Sequence, residues 1–419
     1  MTKNASAERP VLDFDHDSLQ HASNWPADFQ EMREQCPVAW SEHHGGFWIV
    51  TRYEDVVRVA QDNETFSSHK SYDPETGHTA GGTLIPPAPG PRNLPVESDR
   101  PEWDSLRKLI NPHFGPKAAE ARREAAQKYA AALIDRVIES GRCDIVNDFT
   151  SPLPAIMTME LLGFPLSEWR QFADPLHEMI FCQRTDPRYP KVIESVNWVH
   201  SRVREVIAER RQQPADDLIS HFVTTPIDGK LLADHTVHEF CLNILLGGVD
   251  TTTALTSNVL LYLHRHPEEK RRLIENPDLI PPAREEFLRF FSPIHALART
   301  VSKDTVFNGQ KMFKGERVLL PFSSANRDPK VFENPEQVVL DRHPNRHVGF
   351  GAGIHRCVGS FLARVAFDSM LNAWLRRVPD YCVDLTATVP YTSVGVVNGW
   401  VNMPATFTPG RKSGVTIVL

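Results

Sequence analysis

Phe350-Gly351-Ala352-Gly353-Ile354-His355-Arg356-Cys357-Val358-Gly359 is the stretch on which the reading of this chain turns. Three glycines in ten residues let the backbone approach a flat ligand closely and adopt conformations closed to other residues. Just downstream, within 358–378, Val358, Phe361, Leu362 and Val365, then Phe367, Met370, Leu371, Trp374 and Leu375, fall at helical spacing. Cys357 is therefore expected at a helix N-terminus, where free N–H groups and the helix dipole favour a thiolate. With no second cysteine nearby, that thiolate suits a single axial metal bond. Two other readings stand beside it. One is a buried cysteine in a Gly-rich turn. The other is a zinc site drawn from His343, His347, His355 and Cys357, against which stand their irregular separations and the lack of a second ligand-bearing loop.

Working outward, the longest helical pattern runs from Asp234, an expected N-cap, to His266, with Pro267 as its stop. Its centre, Gly247-Gly248-Val249-Asp250-Thr251-Thr252-Thr253, combines poor helix formers, which predicts a bend or widened turn with backbone groups free for water or ligand. Residues 117–139 are rich in Ala, Arg and Glu and read as helix. Val38-Ala39-Trp40 and Phe47-Trp48-Ile49-Val50 flank the turn-like His43-His44-Gly45-Gly46 and read as a β-hairpin. A second β-rich stretch spans about 297–321, with Gly309 and Lys314-Gly315 as turns. Residues 72–101, studded with Pro86, Pro87, Pro89, Pro91 and Pro95, are the least regular, and a loop that long is usually functional or disordered. The pattern is mainly α with two small β regions.

The chain has 419 residues, 41% hydrophobic and 24% charged, which is globular composition. No linker, charge block or repeat offers a place to divide it, so 1–419 is expected to form a single unit. The start is polar and nowhere do about 18 apolar residues run together, so neither a secretory signal nor a membrane anchor is expected. A net charge of -7 gives no reason to expect nucleic acid. The six cysteines are scattered without a CxxC pair and read as reduced thiols of a cytoplasmic protein.

The cysteine loop resembles the haem-binding signature of the cytochromes P-450, Phe-x-x-Gly-x-x-x-Cys-x-Gly, with Phe350, Gly353, Cys357 and Gly359 at its fixed positions. Three further matches follow in the family's order. Glu286-Phe287-Leu288-Arg289 is similar to the Glu-x-x-Arg motif, with Arg342 matching the third, structural member. Gly247-Gly248-Val249-Asp250-Thr251-Thr252 is similar to the oxygen-binding segment. Trp103-Asp104-Ser105-Leu106-Arg107 resembles the Trp-x-x-x-Arg pattern that holds a haem propionate, although many soluble bacterial members carry His at the first position. Arg299 and His355 fall where other members contact a propionate, and Val358 replaces the commoner leucine.

The resemblance covers nearly the whole chain. It implies the cytochrome P-450 fold, a triangular helical body with a small β-rich region, and haem b bound through Cys357 against Phe350, Gly351, Gly353 and Gly359. It implies a monooxygenase in which thiolate push promotes O–O cleavage, Asp250 supplies protons and Thr251 with a water guides them to the oxygen. No fused reductase is expected, because the sequence ends about 60 residues after Cys357. Electrons would come from NAD(P)H through ferredoxin reductase and ferredoxin to a monomer, docking near Lys108 and Arg356. By family position the pocket would be lined by the 72–101 loop, part of 174–198, Leu246, Gly247, Ile294, Leu297, Val396 and Val397. It would take a mid-sized apolar molecule such as a terpenoid, fatty acid or polyketide. Competing functions are a peroxide-driven haem peroxygenase, against which the Asp250–Thr251 pair argues, and a haem-based sensor or carrier.

Overall fold

The computed structural model describes residues 9–73, 75–182 and 186–417. The polar first eight residues, and Pro74 and 183–185 of the two stretches expected to line the pocket, lie outside the described residues.

Apolar content decides the centre of the molecule. The helix Asp234–Arg265 is long and apolar enough to cross a membrane by composition alone, yet 78% of its most apolar window is buried inside the protein. It is a core helix, packed against Pro152–Leu162, Trp169–Phe181, Tyr189–Gln212 and Ser360–Arg377. The helix begins one residue earlier than expected, with Ala233 at the cap. Asp234 sits in the first turn, where its carboxylate accepts from Arg211 Nε at 2.9 Å and suits the positive end of the helix.

The expected bend at Gly247-Gly248 is not an interruption, for the helix runs through both. The two glycines serve different ends. A Cβ on Gly248 would lie 2.4 Å from Thr158 Oγ1, so its absence lets two helices approach; a Cβ on Gly247 would meet nothing within 4 Å. The 117–139 stretch is two helices, Pro116–Glu120 and Arg123–Val137, because the Arg122 N–H bonds back three residues to Ala119 and tightens the turn between them.

The hairpin pairs Val38–Ser41 with Phe47–Val50 in antiparallel register. Phe47–Val50 is wholly buried, and on its other side Arg317–Pro321 adds in parallel, followed by Ala296–Val301 and Phe66–Ser67. Asn308-Gly309, both at positive φ, turn the short hairpin between Thr305–Phe307 and Gln310–Met312.

A carboxylate ties this sheet region to the helical body. Glu286, fully buried on the helix Ile280–Phe291, accepts from Arg289 Nε and Nη2 at 2.8 and 2.7 Å and from Arg342 Nε at 2.9 Å. The Val339 N–H and Asn345 Nδ2 complete its shell at 2.8 and 3.1 Å. Arg289, equally buried, spends its remaining N–H groups on the carbonyls of Asn326, Pro335 and Gln337. Removing one member leaves a buried charge without its partner, which costs about 3–5 kcal/mol. Glu286→Ala is therefore expected to lower unfolding stability by roughly that amount in denaturant titration, whereas an ordinary exposed pair such as Arg271–Glu268 would give less than about 1 kcal/mol.

Candidate functional site

The cysteine loop is held from both ends. Asn326 accepts the Val348 N–H at 2.7 Å, Val348 accepts the Gly351 N–H at 2.8 Å, and Phe350 accepts the Cys357 N–H at 2.9 Å. Gly351 and Gly353 both have φ near +70°. At Gly353 a Cβ would also come within 2.3 Å of the Ala60 carbonyl oxygen, so conformation and close approach both demand glycine. Phe350 lies under the Arg364 guanidinium, 4.6 Å away, and Arg364 is clamped by Glu285 at 2.6 and 2.8 Å. Burial works against the charge on Glu285, but Arg364 and His347 hold its pKa below the usual carboxylate range.

Cys357 precedes the helix Ser360–Arg377, with Gly359 at the cap. The expectation that this position alone favours a thiolate is corrected. Burial pushes the thiol pKa up, and the Gly359 N–H together with Arg107, Arg356 and Arg364 only partly pulls it back. Desolvation therefore wins until a cation bonds the sulfur. Cys357 is nonetheless an exposed residue. Depth and accessibility together mean that it borders an interior cleft, not the outer surface. Gly247 on the long helix is likewise accessible, on an element that is otherwise mostly buried. Leu246, Phe350 and Val358 pack on one shared core cluster.

Donors without acceptors gather beside the loop. Trp103 and Arg107 lie one turn apart on the helix Glu102–Phe114, and the Trp103 ring stands 5.9 Å from the His355 ring, edge to face. Trp103 Nε1 and both His355 ring nitrogens are buried with no hydrogen-bond partner. Arg107 Nη2 donates to the Arg356 carbonyl at 2.8 Å, and buried Arg299 donates to its neighbour's carbonyl. Burial, then the charges of Arg299 and Arg107, push the His355 pKa down to about 3. The acid acting on Arg299 is Asp99, whose oxygens are already taken by the Ser67 hydroxyl and the Ser68 N–H. Buried unpaired donors beside two guanidinium groups fit an anionic group such as a carboxylate-bearing cofactor.

On the long helix, the Thr251 hydroxyl donates to the Gly247 carbonyl at 3.0 Å. Asp250, only 1% exposed, turns away into a buried triad. His177 Nδ1, on Trp169–Phe181, lies 2.6 Å from Oδ1, and the Tyr391 hydroxyl donates at 2.8 and 3.0 Å to Oδ1 and Oδ2. Sequence reasoning missed His177 and Tyr391. They lie 73 and 141 residues from Asp250, and neither belongs to a local motif.

Of the expected pocket residues, Ile294 and Val397 form a bridge pair, Val396 accepts the His295 N–H, and all three contribute to a cluster with Phe181, Ala254 and Tyr391. Leu297 packs on the sheet-side core and Leu246 on the helical core. The zinc alternative falls away: among the described residues the metal-ligand geometry gathers only Asp15, His16 and His44, while His347 is bound to Glu285. Lys108 and Arg356 are exposed.

Comparison with known proteins gives a match to the family model described as Cytochrome P450 over residues 39–284 and 279–378. Over 384 residues the chain is 33% identical to a steroid C26-monooxygenase of Mycolicibacterium smegmatis, covering 91% of this chain and 92% of the relative. Among solved structures, CYP109E1 from Bacillus megaterium in complex with testosterone superposes with a TM-score of 0.82 at 29% identity, covering 94% of this chain and 100% of the other. Cytochrome P450 CYP268A2 of Mycobacterium marinum, in complex with pseudoionone, gives 0.84 at 28% identity, covering 96% and 100%.

The two loop glycines give a paired prediction. Gly351→Ala should cost only the left-handed backbone penalty, about 1–2 kcal/mol, since its Cβ meets nothing closer than 4.0 Å. Gly353→Ala adds the collision with the Ala60 carbonyl and should cost clearly more in denaturant unfolding. Equal losses would show that the Ala60 contact does not matter.

Proposed function

The chain belongs to the cytochrome P450 family, and from that premise we propose how its own residues hold haem b and direct the reaction. The enzyme is a haem monooxygenase that hydroxylates an apolar organic substrate with electrons from external redox partners. Cys357 would hold the iron, and a bound cation would favour the thiolate whose pKa burial pushes up. Trp103 Nε1, His355, Arg107 and Arg299 would hold the propionates, with Phe350, Gly351, Gly353 and Gly359 shaping the cysteine loop. The observation that carries this reading is the set of buried donors without acceptors beside an accessible interior cysteine.

Bound haem supplies dioxygen activation, placing one oxygen atom in a substrate C–H bond and releasing the other as water after uptake of two electrons and two protons. The protein contributes orientation, protons and the exclusion of bulk water. Thr251, whose hydroxyl faces the accessible Gly247 edge of the long helix, positions water and passes protons toward the cleft. Asp250 is their source. Glu286, Arg289 and Arg342 act only on the fold.

The pocket formed by Leu246, Gly247, Ile294, Leu297, Val396 and Val397 takes a mid-sized hydrophobic molecule of terpenoid, fatty-acid or polyketide character. A relative named for steroid oxidation and a neighbour solved with testosterone favour a fused-ring terpenoid-derived substrate. We further assign residues 1–419 to one haem unit working as a cytoplasmic monomer. It receives electrons from NAD(P)H through ferredoxin reductase and a ferredoxin that docks on Lys108 and Arg356.

Reduction under carbon monoxide should give the red-shifted Soret band of sulfur-ligated haem, and Cys357→Ala should lose it; an unshifted band in the unaltered protein sinks the assignment. Thr251→Ala should keep haem while diverting electrons to peroxide, with product per reducing equivalent falling roughly tenfold or more. Steroid and linear terpenoid probes, followed by the change in haem absorbance as distal water leaves, separate the substrate classes.

A further inference from the structure

Asp250 has partners that the chemistry above leaves unused. Its carboxylate is held by His177 Nδ1 at 2.6 Å and by the Tyr391 hydroxyl at 2.8 and 3.0 Å, with all three side chains buried. The load is uneven. Oδ1 takes both donors, whereas Oδ2 has only the longer arm of the Tyr391 hydroxyl. Phe181 closes the group from outside, stacked on Tyr391 at 5.3 Å and edge-on to His177 at 5.3 Å.

The choice of cation matters. Among the described residues His177 is the one cationic side chain paired with Asp250. Arginine would hold the carboxylate equally well but cannot release a proton near neutral pH, whereas imidazole can. His177 Nε2 has no partner in hydrogen-bonding geometry, although the Val401 carbonyl lies near enough to favour a proton there. The groups facing the ring are Asp250 from the long helix, Tyr391 from the C-terminal segment, and Asp174, flanked by Arg170, from its own helix.

We propose that His177 is a positioning residue that stores a proton for Asp250 and returns it during turnover, with Tyr391 fixing the carboxylate while it waits. This rests on the monooxygenase reading. In the waiting state an imidazolium faces a carboxylate. On delivery the His177 Nδ1–H bond breaks and a carboxyl O–H bond forms on Asp250. That O–H then breaks toward the water held by Thr251, which passes a proton of its own into the cleft. Asp250 is again an anion, the imidazole is neutral with its proton on Nε2, and solvent returns one proton to the ring. One proton has moved inward, and no electrons move in the relay.

The electrostatics agree with the geometry. Burial opposes a charged ring, yet the charge and hydrogen bond of Asp250, with Asp174 behind, hold the His177 pKa above its ordinary value. Burial and Asp250 raise the Tyr391 pKa well above its ordinary value, so that hydroxyl stays a donor. The sign follows. The store is full below the raised His177 pKa and empties as pH rises through it.

The test uses the holoenzyme with a surrogate ferredoxin system. Product formation should fall about tenfold per pH unit above the His177 pKa. In His177→Gln, which keeps a donor toward Asp250 but cannot titrate, that slope should vanish and the rate at pH 6 should drop by about tenfold, with peroxide release rising. Tyr391→Phe should lose coupling yet keep the slope. A slope unchanged in His177→Gln overturns the proposal. Nitrogen-15 NMR of histidine-labelled holoenzyme reads the store without turnover. The His177 resonance should titrate above 6.5 and move lower in Asp250→Asn, and titration at or below 6.5 in the unaltered protein also overturns it. That measurement decides even where His177→Gln fails to fold. A missing red-shifted Soret band in the unaltered protein would instead count against the haem-thiolate reading, so the two failures are told apart.

Discussion

Glu286 carries one negative charge into a place with no water, and the geometry of the haem side follows from how that charge is satisfied. Five donors converge on its two oxygens. Three of them come from residues 339–345, a segment without regular structure that would otherwise have little to fix its path. Arg289 extends the constraint by bonding three carbonyls of the same region, one of them on Asn326. The Asn326 amide then fixes Val348, and Val348 fixes Gly351 at the start of the cysteine loop. The neighbouring Glu285 works on the same loop from the other side through Arg364 and Phe350. Two adjacent acids on one helix thus place a loop more than sixty residues away. Breaking the Glu286 shell therefore disturbs the loop as well as the fold.

The two faces of the cleft solve opposite electrostatic problems. On the cysteine side, cationic and neutral donors are buried together without enough acceptors, and His355 is driven neutral by its surroundings. That arrangement is costly until an anion fills it, since unsatisfied buried donors lose their hydration without recompense. On the long-helix side, Asp250 is already held by donors of its own protein. The first face has donors to spare, whereas on the second the acid already has its donors. Each would be out of place if exchanged.

How much of this the sequence disclosed depends on how local the signal was. The cysteine loop, the Glu286–Arg289 pair and the Asp250–Thr251 segment are compact patterns in which neighbouring residues carry the meaning, and the hairpin, the long helix and the helix after Cys357 followed from periodicity and turn residues. What sequence reasoning misplaced involved competition between neighbours in space. The thiol of Cys357 was expected to ionise from its helix position, but burial pushes its pKa up against the Gly359 N–H and the neighbouring guanidinium groups. Gly247-Gly248 was expected to bend the helix, but Thr158 packs into the notch left by Gly248 and the turn stays regular. Asp234 was expected to cap, but Arg211 engages its carboxylate instead. His177 and Tyr391 carried no signal, because a single histidine within a helix and a single tyrosine in a loop acquire meaning only when folding sets them against one carboxylate.

A carboxylate beside a threonine at the centre of a core helix is constrained by chemistry, but the residues that hold the carboxylate are constrained only to donate. An arginine there would make a permanent pair, fixing the acid as an anion at every accessible pH and leaving proton supply to water alone. A histidine costs some of that Coulomb attraction when neutral and in exchange can itself gain or lose a proton within the physiological range. Tyr391 then offsets the loss by keeping one donor on the carboxylate whatever the state of the ring. Because Phe181 stacks on Tyr391 and meets His177 edge-on, and Val397 shares their cluster, the setting of the acid is tied physically to the packing of these two segments.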